Sequence, residues 1–301
     1  MLPNFIFQAK ENLVEKPWGG EWIALLKGFK GRFAESWEFS AQTSNPSEVI
    51  VGGKTISMVE LFSRAKEEIL GNLASKYSKF PLLVKIIDVS GRMDVMVNPS
   101  DRVAEMLGEK DSGKFAGWIC LSDGKVYAGL KRDVSLEELE RIVGDKKDSF
   151  LEILNEYSAT PFATFLISPG LIYCAENLRF IEISTNSNLS YTLLDFSRKG
   201  SQVEKALKAV NLKKSEDFEI KSEKGRISTE SFCAEVVEVF GSKEFEISTF
   251  NILVAIEGFS ILKSSKETAE LHKGYSCLIP ASAQRYSVIS EKATILRIYP
   301  R

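Results

Sequence analysis

Short runs of β-branched and aromatic residues, bounded by Gly, Pro, Asn or Ser, recur from Glu35 to Tyr299, and this spacing constrains the fold more than any other feature. It is the pattern of a sandwich or barrel, in which each short strand meets a turn signal within a few residues. The earlier runs are Glu35–Ala41, Leu82–Asp88, Met93–Asn98, Ala116–Leu121, Ala163–Ile167, Ile172–Glu176 and Phe180–Ile183. The later ones are Ala234–Phe240, Glu244–Ser248, Asn251–Glu257, Ser260–Lys263, Ser276–Ile279, Tyr286–Ile289 and Thr294–Tyr299, with a turn expected at Glu257-Gly258. Strands this short and only half-alternating suit antiparallel pairing better than a parallel sheet.

Helical spacing interrupts the strands in three places. Residues 57–76 carry Met58, Leu61, Phe62, Ala65, Ile69 and Leu73 on one face. Residues 135–157 open with a capping box, Ser135 and Glu138, ahead of Leu136, Leu139, Ile142 and Val143. Gly144-Asp145 breaks that stripe, and Phe150, Leu151, Ile153 and Leu154 are expected to begin a second helix. Residues 201–210 form a shorter third case. Residues 199–230, rich in Lys, Glu and Ser, mark the best boundary, dividing the chain into 1–198 and 199–301.

Charge narrows the range of partners. The 39 basic and 41 acidic residues are interspersed with no basic stripe, so nothing points to nucleic acid. No apolar run approaches the roughly 18 residues of a membrane span, and the first residues lack a signal-peptide pattern; the expected location is the cytoplasm. Cys120, Cys174, Cys233 and Cys277 are dispersed without a C-x-x-C pair, which argues for reduced, mostly buried thiols rather than a zinc knuckle. His272, the single histidine, precedes a glycine turn with no ligand-spaced partner and reads as a partly exposed turn residue.

Several motifs, in order along the chain, carry a resemblance. The stretch Phe80–Asp101, FPLLVKIIDVSGRMDVMVNPSD, resembles the metal-site strand pair of the type I mannose-6-phosphate isomerases. Pro17-Trp18-Gly19-Gly20, Glu35–Ser40 with Asn45-Pro46-Ser47, Gly113–Trp118, Ser168–Ala175, Glu182–Tyr191 and Asp195–Arg198 resemble further motifs of that family. The resemblance implies a mainly β fold of two cupin, jelly-roll-like barrels, the first (1–198) with a helical insertion and the second (199–301) entered through the charged linker. It implies a mannose 6-phosphate to fructose 6-phosphate isomerase, an aldose–ketose isomerase of carbohydrate metabolism that uses zinc. The family's zinc ligands are Gln, Glu and two His, and the matching positions here are Met96, Asn98, Ala116 and Tyr173. None of the four is a good substitute, so no metal is expected there and activity is expected to be weak, altered or absent.

The matched pocket positions are Trp18, Glu35, Lys85 and Lys114, with Arg198 as a further substrate-binding position. Lys85 or Lys114 would act as the electrophile and Glu35 as the proton carrier. Lys85 lies inside the apolar run LLVKIID, where an unpaired charge would be costly. Taken alone, it reads better as a lysine facing solvent, or paired with a neighbouring carboxylate such as Glu35, than as a pocket residue; the resemblance favours the pocket. Two ammonium groups in one cavity would leave positive charge for a sugar phosphate or polyhydroxy anion. Met96, Tyr173 and Phe115 would fill the space of the lost ion. The alternative is a non-catalytic cupin that binds a sugar phosphate or serves as an interaction protein. Oligomeric state is not legible.

Overall fold

The structure is a computed structural model and describes residues 2, 5–51, 53–145, 148–195 and 202–301. Three antiparallel sheets stack on one another. The middle sheet runs in the order Thr164–Ile167, Ala116–Cys120, Arg179–Thr185, Leu82–Asp88, Glu35–Phe39 and Leu13–Val14. On one side lies a five-stranded sheet of Leu154–Ala159, Gly124–Leu130, Ile172–Glu176, Val95–Val97 and Tyr191–Leu194. On the other lies a seven-stranded sheet built mostly from residues after 225, whose edge strand is Phe7–Gln8 paired to Ser276–Ile279. The mainly β, antiparallel architecture expected from the strand pattern is present. Among the described residues no helix is long and apolar enough to cross a membrane.

The sandwich explains the composition of the middle strands. All seven residues of Leu82–Asp88 are buried, because both faces of the middle sheet are covered. Leu82, Val84 and Ile86 join Ile181, Ile183, Ile252, Val254 and Ile298 in the core shared with the seven-stranded sheet. Ile87, Trp118 and Phe180 face the five-stranded sheet instead, with Val126, Tyr173 and Tyr191. Leu139 and Val143 of the Leu136–Asp145 helix and Ala206 and Ala209 of the Val203–Ala209 helix belong to that same apolar cluster.

Two expectations need correction. The Leu136–Asp145 helix ends at the expected Gly144-Asp145 break, but the second helix expected from Phe150 does not form: Asp148–Ile153 is a 3₁₀ segment and Leu154–Ala159 is a strand paired to Gly124–Leu130. Leu154, Tyr157 and Ala159 are buried there, and partnership with a neighbouring strand outweighs the local helical spacing. The expected turn at Glu257-Gly258 is absent, because Asn251–Lys263 runs through as one strand with register shifts around Gly258. Phe232–Glu246 and Arg285–Pro300 likewise each absorb two of the expected short runs. Gly258, at φ 80°, is a bulge residue, and a Cβ built on it would lie 2.4 Å from the Lys292 carbonyl oxygen. Gly258→Ala is therefore expected to cost about 1–3 kcal/mol, read as a shift in the urea midpoint.

One polar cluster crosses between sheets. Lys27, at the end of the Trp22–Lys27 helix, places Nζ 2.6 Å from Glu38 Oε1, and both side chains are buried. Ser36 also donates to Oε1 at 2.6 Å, and Ser276 of the seven-stranded sheet donates to Oε2 at 2.7 Å. A carboxylate in the interior is stabilised here by three donors from three elements.

Candidate functional site

The registers of the middle sheet create a row of polar and aromatic side chains. Trp37 is paired with Lys85, Lys85 with Glu182, and Glu182 with Trp118, across four adjacent strands and on one face. Above Lys85, Glu182 and Trp118 is a cavity of about 210 Å³, also lined by Trp18, Glu35, Lys114, Tyr173, Asn188 and Lys16. Two ion pairs occupy its floor. Lys85 Nζ lies 3.2 Å from Glu35 Oε2 and 2.7 Å from Asn188 Oδ1, and sits 4.1 Å from the Trp37 ring centroid. Trp37 Nε1 donates to the same Glu35 oxygen at 2.6 Å. Lys114 Nζ lies 2.8 Å from Glu182 Oε1, while Trp118 Nε1 donates to Glu182 Oε2 at 3.0 Å.

Burial and pairing compete in setting the charge states. Burial alone would raise both carboxyl groups. For Glu35 the Lys85 and Lys16 charges and the Trp37 N–H overcome it, and for Glu182 the Lys114 and Lys85 charges do the same, so both lie below the ordinary carboxylate value. The lysines diverge. Burial wins at Lys85, whose pKa is lowered, while at Lys114 it is outweighed by Glu182 and the pKa is raised. The Tyr173 phenol is pushed up to about 12 by burial and stays protonated at neutral pH.

The model of the mannose-6-phosphate isomerase cupin domain matches residues 222–300. A provisionally assigned mannosephosphate isomerase from Archaeoglobus fulgidus is 50% identical, covering 100% of this chain and 99% of its own, with a TM-score of 0.94. The chain belongs to the mannose-6-phosphate isomerase family. The Bacillus subtilis mannose-6-phosphate isomerase ManA is 29% identical over 209 residues, spanning 67% of this chain and 64% of the relative's own length. The crystal structure of the mannose 6-phosphate isomerase from Bacillus subtilis, at 22% identity, covers 98% of this chain and 100% of its own with a TM-score of 0.86, and speaks to the fold.

Zinc, which the family resemblance implies, fits the four matching positions poorly. Ala116 offers no side-chain donor, and Met96 offers only a thioether. Asn98 Oδ1 already accepts from Ser190 Oγ at 2.7 Å and lies 2.9 Å from the Tyr173 hydroxyl. Asn98 Nδ2, its remaining polar atom, is a buried donor without a partner among the described residues, and a donor does not ligate a cation. Among the described residues no group of three or more His, Cys, Asp or Glu could hold a metal ion.

The sequence-derived positions Trp18, Glu35, Lys85, Lys114, Met96 and Tyr173 line one cavity, and Asn98 is buried next to Tyr173. Arg198 lies outside the described residues. The expected uncompensated positive charge is not found, because each deep lysine has a carboxylate within 3.2 Å. Phe115 does not fill the cavity; its ring packs 6.1 Å from Phe232 on the opposite side of the middle sheet. His272 is exposed beside Glu270 in the seven-stranded sheet. Glu182 is the site residue that sequence reasoning overlooked. It is a charge inside the apolar run Phe180–Ile183, the same signal that singled out Lys85.

Proposed function

We propose that the cavity binds a sugar phosphate of the mannose 6-phosphate type, and that aldose–ketose interconversion there uses the two Lys–Glu pairs in place of a metal ion. The observation that carries this reading is the convergence of Glu35–Lys85 and Glu182–Lys114 on one small cavity in a chain of this family. Isomerisation moves a proton between adjacent carbons with no net redox change. A carboxylate takes the C2 proton of the aldose while an ammonium group gives a proton to the carbonyl oxygen, forming an enediol. The same carboxyl then delivers its proton to C1 as the amine takes back the O2 hydroxyl proton. Glu35 and Glu182 are ionised at neutral pH and can serve as base; Lys114, which keeps its proton, suits the electrophilic role.

One observation favours the non-catalytic alternative. A carboxylate held below its ordinary value is a weak base, whereas an efficient one lies near the working pH. Calorimetry with mannose 6-phosphate followed by a coupled assay for fructose 6-phosphate separates the two. The expected result is binding, with turnover unchanged by a chelator or by added zinc. Zinc-dependent turnover would overturn the metal-free reading, and binding without turnover would leave a sugar-phosphate-binding protein. The same reading treats 1–198 and 199–301 as two cupin units, supported for the second by the match over 222–300.

A further inference from the structure

The floor of the cavity holds two cations and two anions, so it offers a phosphate dianion no net attraction. A phosphate monoester carrying about −1.5 to −2 at pH 7 would lie against Glu35 and Glu182 if it entered fully. At about 210 Å³ the cavity is also smaller than the roughly 300 Å³ or more of pockets that enclose a whole drug-sized ligand. The lining contains one further cation, Lys16. It is exposed, unlike Lys85 and Lys114, and has no ion-pair partner among the described residues. Its charge reaches the cavity, since it helps hold the Glu35 carboxyl down. Asp94 also lines the cavity as a third carboxylate, and its side chain has an interaction of its own.

We infer that Lys16 is the anchor for the phosphoryl group, which stays at the exposed edge while the C1–C2 end of the sugar enters toward Lys114 and Glu182. This rests on the reading of the cavity as a sugar-phosphate site. Recognition is then divided: the buried pairs hold hydroxyl and carbonyl oxygens, and Lys16 separates phosphorylated from neutral sugars.

Titration calorimetry of the wild type, Lys16→Ala, Lys16→Glu and Lys16→Arg with mannose 6-phosphate and with mannose tests the assignment. Lys16→Ala is expected to weaken mannose 6-phosphate binding about tenfold, with most of the salt dependence lost. Lys16→Glu should weaken it further and Lys16→Arg restore it, with mannose binding unchanged throughout. Equal mannose 6-phosphate affinity in the wild type and Lys16→Ala would overturn this inference alone. A wild type that binds no hexose phosphate would overturn the proposed function together with it. Because Lys16 is exposed, loss of fold does not confound the comparison.

Discussion

Replacing Glu182 with alanine is expected to destabilise the protein by about 3–5 kcal/mol, because it strands Lys114 in the interior without its partner. Lys114 and Glu182 are both buried, and the Trp118 N–H loses its acceptor in the same step. Denaturant unfolding would read the loss as a lower midpoint at unchanged slope. Glu182→Gln keeps an acceptor for Trp118 and should cost less than the alanine change. Glu182→Leu combined with Lys114→Met should recover much of the stability, since a packed apolar pair replaces both charges. A single-variant loss below about 1 kcal/mol would show that water reaches the pair and that its burial costs little.

The pH dependence of the same variant carries an independent sign. In the wild type Glu35 and Glu182 lie below the ordinary carboxylate value of 4.5, so their stabilisation is full above that value and lost as acid carries the pH through the lowered ones. Lys114 is raised above 10.5, so its contribution is full below that value and lost as the pH rises through the raised one. With Glu182 removed, burial, already the largest influence on Lys114, loses its main opponent and is expected to lower the folded pKa. The Glu182→Ala deficit should then be full at neutral pH and shrink as alkali neutralises the ammonium group. A deficit independent of pH would assign the loss to packing rather than to a stranded charge.

What could be read from the chain and what could not divide along physical lines. Strand positions came through where apolar runs were bounded by turn residues, as at Leu82–Asp88 and Ile172–Glu176, because a buried strand needs little beyond its own composition. Leu154–Ala159 did not, because its strand state depends on pairing with Gly124–Leu130, a partner that no local window contains. The long bent strands of the seven-stranded sheet were read as pairs of short ones, since Gly241 and Gly258 look like turns until the ladder is seen to continue past them. In the site, motif order located Trp18, Glu35, Lys85 and Lys114, but neither motif nor periodicity says which charges neutralise one another. That depends on the cross-strand registers that set Lys85 opposite Glu182 and bring Lys114 to the same carboxylate. The net charge of the cavity is therefore not legible in the sequence, although several of the residues that line it are.

Substituting Glu38 with alanine is expected to produce a comparable loss, about 3–5 kcal/mol, by a purely structural route. Glu38 gathers Lys27, Ser36 and Ser276, so its removal leaves a buried ammonium group and two buried hydroxyls without their acceptor. The nearest remaining stabilisation for Lys27 is the Tyr275 ring, whose centroid is 5.0 Å from Nζ. The reverse change, Lys27→Met, should be milder, because the Glu38 carboxylate keeps both serine hydroxyls and methionine fills most of the lysine stem's volume. The two variants thus predict an order as well as a size, with Glu38→Ala unfolding at the lower denaturant concentration. Because Ser276 belongs to the seven-stranded sheet and Glu38 to the middle one, the cluster ties the two sheets directly. Hydrogen exchange in Glu38→Ala should accordingly rise first at the junction of Ser276–Ile279 with Phe7–Gln8, while the Lys85 and Lys114 pairs stay protected. Equal stability of the two variants, or exchange rising first around the cavity, would show that the cluster does not hold the sheets together.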